Sequence, residues 1–377
     1  MNKEDKKISL KCSKCQSIYP ENYLNWKCEK CGSPLEIIFE IEEKSRQLIN
    51  FEDYSMWRYE RFMAVRNESK VTLGEGWTPI IEKEIFRIKV ALKLEFLNPT
   101  GSFKDRGAST VISRALQLGV KRIVEDSSGN AGLAISAYAS AANMKTKIYV
   151  PIKASKAKKK LIQILGAQLI ETKNRAEAFI KAVNELEEND YYVGHSWNPF
   201  FIEGVKTIAY EIAEQYNWKI PKTIIVPTGN GTLLLGLYKG FKELNSYGFI
   251  DEIPRLIAVQ VSGYTPLYEA IYGKRDWNRK SRLADGIKIS NPPRINEMKN
   301  AIINTNGDVI VVNDDEIIHS LKVLLKMGLI VEPTSATAIA ALLKMKSDIE
   351  DNICIPLTGS GIKMPDKILR AIHHLNS

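Results

Sequence analysis

From Lys121 onward the chain alternates short β-rich runs with stretches whose apolar residues recur at helical spacing, and this alternation restricts the fold more than any other feature. The strand candidates are KRIVED, KTKIYVP, QLIET, DYYVGH, KTIIVP, RLIAVQV, DVIVVN and NICIPL. Between them lie helical patterns such as NAGLAISAYASAANM and GVKTIAYEIAEQYN. Strand and helix repeated in this order predict parallel sheets with right-handed crossovers. The expected class is α/β. At 377 residues the chain exceeds the roughly 250–300 at which one core stops growing, so two lobes and a small appendage are expected.

Hydrophobic residues make up 44% and charged residues 26%, a globular balance that excludes disorder over most of the length. The longest apolar stretches, residues 232–238 and 329–331, fall far short of the ~20 needed to span a bilayer. Residues 1–10 are mostly charged and polar where a secretory signal needs an apolar run. A cytoplasmic location and no membrane partner are the expectation. The net charge of +9 raises the question of nucleic acid. Its densest run, KASKAKKK at Lys153–Lys160, follows IYVP and leads into LIQILGA, so it is expected to be the solvated first turns of a helix. Without a basic tail or interleaved aromatics, no nucleic-acid partner is expected.

Four of the five cysteines are Cys12-x-x-Cys15 and Cys28-x-x-Cys31, with twelve residues between the pairs. Each C-x-x-C turn aims two thiolates at one centre, and two such knuckles close a tetrahedral four-sulfur metal site with no open position. Zinc in a structural role is expected, with iron and a pair of disulfides as alternatives. The segment Lys11–Ile38 is too small for a core of its own, so metal should supply most of its folding free energy. Cys354, flanked by isoleucines in a strand pattern, reads as packing.

In open parallel sheets ligands bind beyond the C-terminal strand ends, and four strand-to-helix turns stand out. They are Asn98-Pro-Thr-Gly-Ser-Phe-Lys104-Asp-Arg-Gly107, Asp126-Ser127-Ser128-Gly129-Asn130, Pro227-Thr228-Gly229-Asn230-Gly231-Thr232 and Leu357-Thr358-Gly359-Ser360-Gly361. A Gly, Asn and Thr turn that opens a helix presents free backbone N–H groups to an anion. Gly229–Thr232 is thus a phosphate-cradle candidate, although it has neither the Lys-Ser/Thr of a P-loop nor the dinucleotide fingerprint. Lys104, in a Gly-flanked turn beside Asp105 and Arg106, is either a Schiff-base nucleophile or a surface lysine at a helix start. The four histidines, His195, His319, His373 and His374, form no hydrolytic pattern. The chemistry therefore points to lysine, amides, hydroxyls and a cofactor.

Taken together in order and spacing, NPTGSFKDRG, SSGN, PTGNGT and LTGSGIK resemble the pyridoxal-phosphate enzymes of fold type II. LGEGWTPI (residues 73–80) and NPFFIEGVKTIAYEI (residues 198–212) narrow the resemblance to the threonine synthase family, whose members often carry a zinc-ribbon-like front. The resemblance implies a zinc-ribbon-like element at 1–40, a large cofactor-binding domain of 41–104 and 201–377, a small α/β domain of 105–200, and the cofactor in the cleft between domains. A homodimer is also implied. Lys104 would bond the cofactor and shuttle protons, and Asn130 would bind its phenolic oxygen. Thr228, Gly229, Asn230, Gly231 and Thr232 would bind its phosphate, and Thr358 its pyridine nitrogen. A hydroxyl there leaves that nitrogen unprotonated, which favours elimination and replacement over transamination. Ser127, Ser128 and Gly129 would receive the carboxylate of an amino-acid substrate. The implied reaction converts O-phospho-L-homoserine and water to L-threonine and phosphate.

Three departures set up an alternative. The family's Ser-Thr-Gly-Asn-Thr-Ser run reads Ser127-Ser128-Gly129-Asn130-Ala131-Gly132, its phosphate-binding Arg position is Phe201, and Leu283–Ile287 is similar to the dehydratase pattern. A charge-assisted hydrogen bond to phosphate contributes about 1.5–3 kcal/mol, so the losses need compensation, for which Lys206, Arg282, Lys288 and Arg294 are candidates. The alternative is β-elimination or β-replacement on an unphosphorylated amino acid, as in a serine/threonine dehydratase. Glu332-Pro333-Thr334-Ser335 either contributes to the active site or caps the helix that follows, and the cap is the favoured expectation.

Overall fold

The computed structural model describes residues 7–277, 279–345 and 352–373. Residues 1–6 of the front element and His374 lie outside them. In chain order the strands are β1 (Ile8–Cys12), β2 (Ile18–Pro20), β3 (Leu35–Phe39), β4 (Ile80–Ile85), β5 (Ile88–Lys93), β6 (Arg122–Glu125), β7 (Lys145–Pro151), β8 (Gln168–Thr172), β9 (Asp190–Tyr192), β10 (Thr223–Pro227), β11 (Arg255–Val261), β12 (Asp308–Val312) and β13 (Ile353–Pro356). The helices are α1 (Lys104–Gln117), α2 (Asn130–Ala141), α3 (Lys156–Ile164), α4 (Arg175–Asn184), α5 (Pro199–Val205), α6 (Thr207–Gln215), α7 (Thr232–Ser246), α8 (Pro266–Tyr272), α9 (Ile295–Asn304), α10 (Asp314–Lys326), α11 (Pro333–Lys344) and α12 (Pro365–His373). Every strand expected from the sequence forms within its run.

The chain divides into two compact units. One comprises the chain up to Gly76 with Lys104–Thr207, and the other Trp77–Phe103 with Ile208 onward. The first unit holds a parallel sheet of order β8-β7-β6-β9 and a separate antiparallel sheet of order β2-β1-β3 at the front. The second holds a six-stranded sheet of order β12-β11-β10-β13-β5-β4, parallel except for β4. The class is α/β with parallel sheets. No helix among the described residues is long and apolar enough to cross a membrane.

Burial explains which pattern gave which sheet. β10 (TIIVP) and β13 (ICIP) are buried at every residue, as expected for parallel strands covered on both faces. β1 alternates buried and half-buried residues, the signature of a sheet packed on one side. Cys354 is fully buried in β13 and its thiol is pushed up to about 12 by that burial, which makes it packing rather than a nucleophile.

In the first unit α1 is buried from Asp105 to Ala115, so its polar side chains need partners. Ser109 Oγ donates to Val71 O at 2.7 Å, Thr110 Oγ1 to Phe200 O at 2.8 Å, and Arg106 to Thr207 Oγ1 at 3.0 Å. Arg114 on the same helix donates to Glu21 of the front element at 3.0 Å. Trp26 of that element sits edge-on to Phe179, Tyr192 and Trp197, with ring centroids 5.4, 5.6 and 4.7 Å away. An ion pair and an aromatic box thus attach the cysteine-bearing front to the α/β core of its unit.

Candidate active site

In the second unit, parallel β10 and β13 are neighbours, so the turns after them emerge side by side. Thr228 follows β10, fully buried, with its N–H on Val259 O at 2.8 Å and its hydroxyl on Val226 O at 2.9 Å. Gly231 then takes φ +85° and opens the fifteen-residue α7 with no side-chain cap. A Cβ on Gly231 would lie 2.2 Å from Met298 Sδ, so both conformation and packing require glycine. The uncapped first turn of a long helix, approached through a glycine loop, fits a phosphate group.

Thr358 follows β13, also fully buried, and its Oγ1 lies 3.0 Å from Ser335 Oγ. Ser335 Oγ also accepts the Gly359 N–H at 3.1 Å. Ser335 therefore buttresses the Thr358 turn, and the helix-cap expectation for this segment is corrected. Glu332 occupies the cap position of α11 without a side-chain cap bond, and Pro333 supplies the first turn, where a missing N–H costs nothing.

In the first unit, β6 ends at Glu125 and α2 begins at Asn130 after Gly129, again with no side-chain cap. Ser127 Oγ accepts the Gly129 N–H at 3.3 Å. Asn130 Oδ1 accepts from Lys158 Nζ at 3.0 Å, and Lys158 is 8% exposed. The expectation that KASKAKKK is a solvated face is thus corrected at one residue. Lys158 and Ile162, four residues apart, are the buried residues of α3, which share its inner face. With Oδ1 receiving the ammonium, the donor of the Asn130 amide is Nδ2–H.

Lys104 opens α1. Its ammonium lies 5.5 Å from the centre of the Phe201 ring. Phe201 is fully buried against Gly107, where a Cβ would come within 2.2 Å of the ring. His195 meets the same ring edge-on at 5.8 Å, and its Nδ1 lies 3.1 Å from Glu125 Oε1. Glu125 is fully buried. Burial, and then the adjacent Asp126, push its carboxyl well above the usual range. Burial, and then the charges of Lys104 and Arg175, hold the His195 imidazole well below its usual value.

The four candidates for replacing a missing phosphate ligand are placed otherwise engaged or outward. Lys206 is fully buried and reaches Glu203 at 2.5 Å and Phe62 O at 2.8 Å. Arg294 is 1% exposed and pairs with Glu297 at 2.7 Å, and Lys288 pairs with Asp285 at 2.5 Å. Arg282 is exposed, with its backbone N–H on Asp314. His319 is also exposed and stacks on Phe86 at 5.6 Å.

At the front, the four sulfurs of Cys12, Cys15, Cys28 and Cys31 lie within 4.8 Å of one another. Cys12 and Cys31 are 3.4 Å apart and Cys15 and Cys28 3.5 Å, so no disulfide joins them. A tetrahedral ion with metal–sulfur bonds of about 2.3 Å sets sulfurs about 3.8 Å apart. The donor set and its spacing fit such an ion.

Residues 71–359 match the family described as pyridoxal-phosphate dependent enzyme, the class to which the α/β fold and the four turns point. The chain is 36% identical over 384 residues to the threonine synthase of Methanocaldococcus jannaschii, covering 96% of this chain and 94% of that one. It is 30% identical over 380 residues to the threonine synthase of Methanosarcina acetivorans, covering 96% and 93%. In architecture it is similar to an L-serine ammonia-lyase from Rhizomucor miehei, with a TM-score of 0.66 and 22% identity over 78% of this chain and 96% of that one. The chain belongs to the threonine synthase family of pyridoxal-phosphate dependent enzymes.

Proposed function

We propose that this lyase is a threonine synthase that converts O-phospho-L-homoserine and water to L-threonine and phosphate. The observation that carries the reading is the 36% identity to a threonine synthase over almost the full length of both chains. When bound, pyridoxal phosphate supplies an electron sink for the carbanion left by loss of a substrate Cα proton. Lys104 would hold it covalently and carry protons to and from substrate carbons. Gly229–Thr232 would bind its phosphate through backbone N–H groups at the start of α7, while Thr228, the other residue expected there, has its N–H on Val259 O and its hydroxyl on Val226 O and so would shape the turn. Asn130, oriented by Lys158, would donate to its phenolic oxygen, and Thr358, oriented by Ser335, would meet its ring nitrogen with a neutral hydroxyl. Ser127, Ser128 and Gly129 would take the substrate carboxylate.

Cys12, Cys15, Cys28 and Cys31 would hold a structural zinc ion, closed to substrate. A cytoplasmic homodimer acting on a small amino acid, with neither nucleic acid nor membrane as partner, completes the reading.

One observation favours a second reading, β-elimination or β-replacement on an unphosphorylated amino acid. Phe201 puts an apolar ring beside Lys104, and Lys206, Lys288 and Arg294 are each paired with a carboxylate. The test is release of phosphate and threonine from O-phospho-L-homoserine, with L-serine and L-threonine as parallel substrates. Stoichiometric threonine and phosphate support the first reading. Formation of a 2-oxo acid without phosphate release supports the second.

A further inference from the structure

The flank of Lys104 in the first unit is built from Glu125, His195 and Phe201, and its ionisation decides what it can do. Glu125 is 0% exposed, yet among the described residues its Oε2 meets no hydrogen-bond donor. His195 meets the carboxyl twice, with Nδ1 3.1 Å from Oε1 and with a backbone N–H that donates to the carboxyl. A buried carboxylate with one oxygen undonated is far more costly than a buried carboxylic acid with a spare carbonyl lone pair. The charged groups that act on the pair are Asp126 next along the chain, Lys104 at the start of α1 and Arg175 at the start of α4. Asp126 is itself engaged by the Tyr192 hydroxyl at 2.7 Å.

We propose that Glu125 is a neutral carboxylic acid whose O–H donates to His195 Nδ1 and so fixes His195 as an uncharged Nε2–H donor beside Lys104. An imidazole whose Nδ1 accepts must carry its proton on Nε2. Glu125 is then a positioning residue that acts through His195. The flank then adds no cation next to the Lys104 amine. The raised carboxyl and the lowered imidazole are the direction this arrangement requires. The catalytic meaning rests on Lys104 as the reactive lysine, whereas the protonation pattern stands apart from it.

The experiment is nitrogen NMR of the full-length protein with labelled histidine. The chain has only four histidines, and the His195→Gln variant assigns the His195 signals. The expected result is a neutral Nε2–H tautomer that does not titrate between about pH 5 and 8, unchanged in Glu125→Gln, whose amide donates to Nδ1 as the acid does. Glu125→Leu should release the tautomer preference. The visible absorbance of bound cofactor should have the same pH dependence in Glu125→Gln as in the parent. An imidazolium at neutral pH, an Nδ1–H tautomer, or a Glu125→Gln variant with altered His195 titration overturns the proposal. Should Glu125→Leu fail to fold, the parent and Glu125→Gln spectra decide it. Loss of cofactor binding in Lys104→Ala tests the other assignment separately.

Discussion

Lys158→Met removes the charged donor from Asn130 while keeping most of the side chain's apolar stem. The Lys158 ammonium lies 3.0 Å from Asn130 Oδ1 on a side chain 8% exposed, so solvent cannot readily replace it. A hydrogen bond to a charged group contributes about 1.5–3 kcal/mol, and about 1.4 kcal/mol is a factor of ten. If the bond serves to hold the Asn130 amide toward the cofactor, pyridoxal phosphate should bind about 10- to 150-fold more weakly. Helix α3 should survive, because Ser155 still caps it and Ile162 still anchors its inner face. The assay is fluorescence titration of the apoprotein with pyridoxal phosphate, with Lys158→Arg expected to recover most of the loss. Parent-like affinity in Lys158→Met, alongside clear weakening in Asn130→Ala, would refute the orienting role of Lys158. No effect in either variant would instead remove Asn130 from the cofactor site.

Lys104→Ala should abolish both turnover and the visible absorbance of lysine-bound cofactor, and a spectrum would show it. Replacing Cys12 and Cys28 with serine should lower zinc measured by elemental analysis from about one ion per chain to none, and should destabilise the front element. Its attachment to the core through Trp26 and Glu21 makes that loss visible as changed tryptophan fluorescence. The pH dependence of stability also follows from the buried pair. Glu125 is raised above its ordinary 4.5, so above that pH the native state binds the extra proton and its contribution is lost as pH rises. His195 is lowered from 6.5, so it contributes the opposite slope below 6.5 and none above. Glu125→Gln should therefore gain stability over the parent by about 1.4 kcal/mol per pH unit above 4.5 until Glu125 ionises natively. Denaturant titrations at several pH values check the sign, and a gain that does not grow with pH would contradict it.

The strands were legible because parallel sheets covered on both faces demand continuous apolar runs, as TIIVP and ICIP show. The glycine loop before α7 was legible because Gly-Asn-Gly between a strand pattern and a helical pattern marks a turn, and Gly231 does take the left-handed conformation that favours glycine. The C-x-x-C pairs announced a four-sulfur cluster through spacing alone, and their sulfurs do converge. What escaped were side chains whose roles depend on distant partners. Lys158 sits in a run of five lysines spread over Lys153–Lys160, and only its register with Ile162 marks it as inward. Ser335 followed proline in a cap-like context, and its partner Thr358 lies on a different element. Glu125 closed a strand pattern, with nothing local to signal that His195 would face it from seventy positions away. Lys206 likewise offered no sign that Glu203, one helical turn earlier, would bury it.

The reaction itself is tested by simultaneous assay of phosphate and threonine from O-phospho-L-homoserine with the cofactor-loaded enzyme. The expected result is one threonine per phosphate released, with activity lost in Lys104→Ala. Absence of phosphate release, with a 2-oxo acid accumulating from L-serine or L-threonine, would contradict it and assign the Phe201 wall to an unphosphorylated substrate.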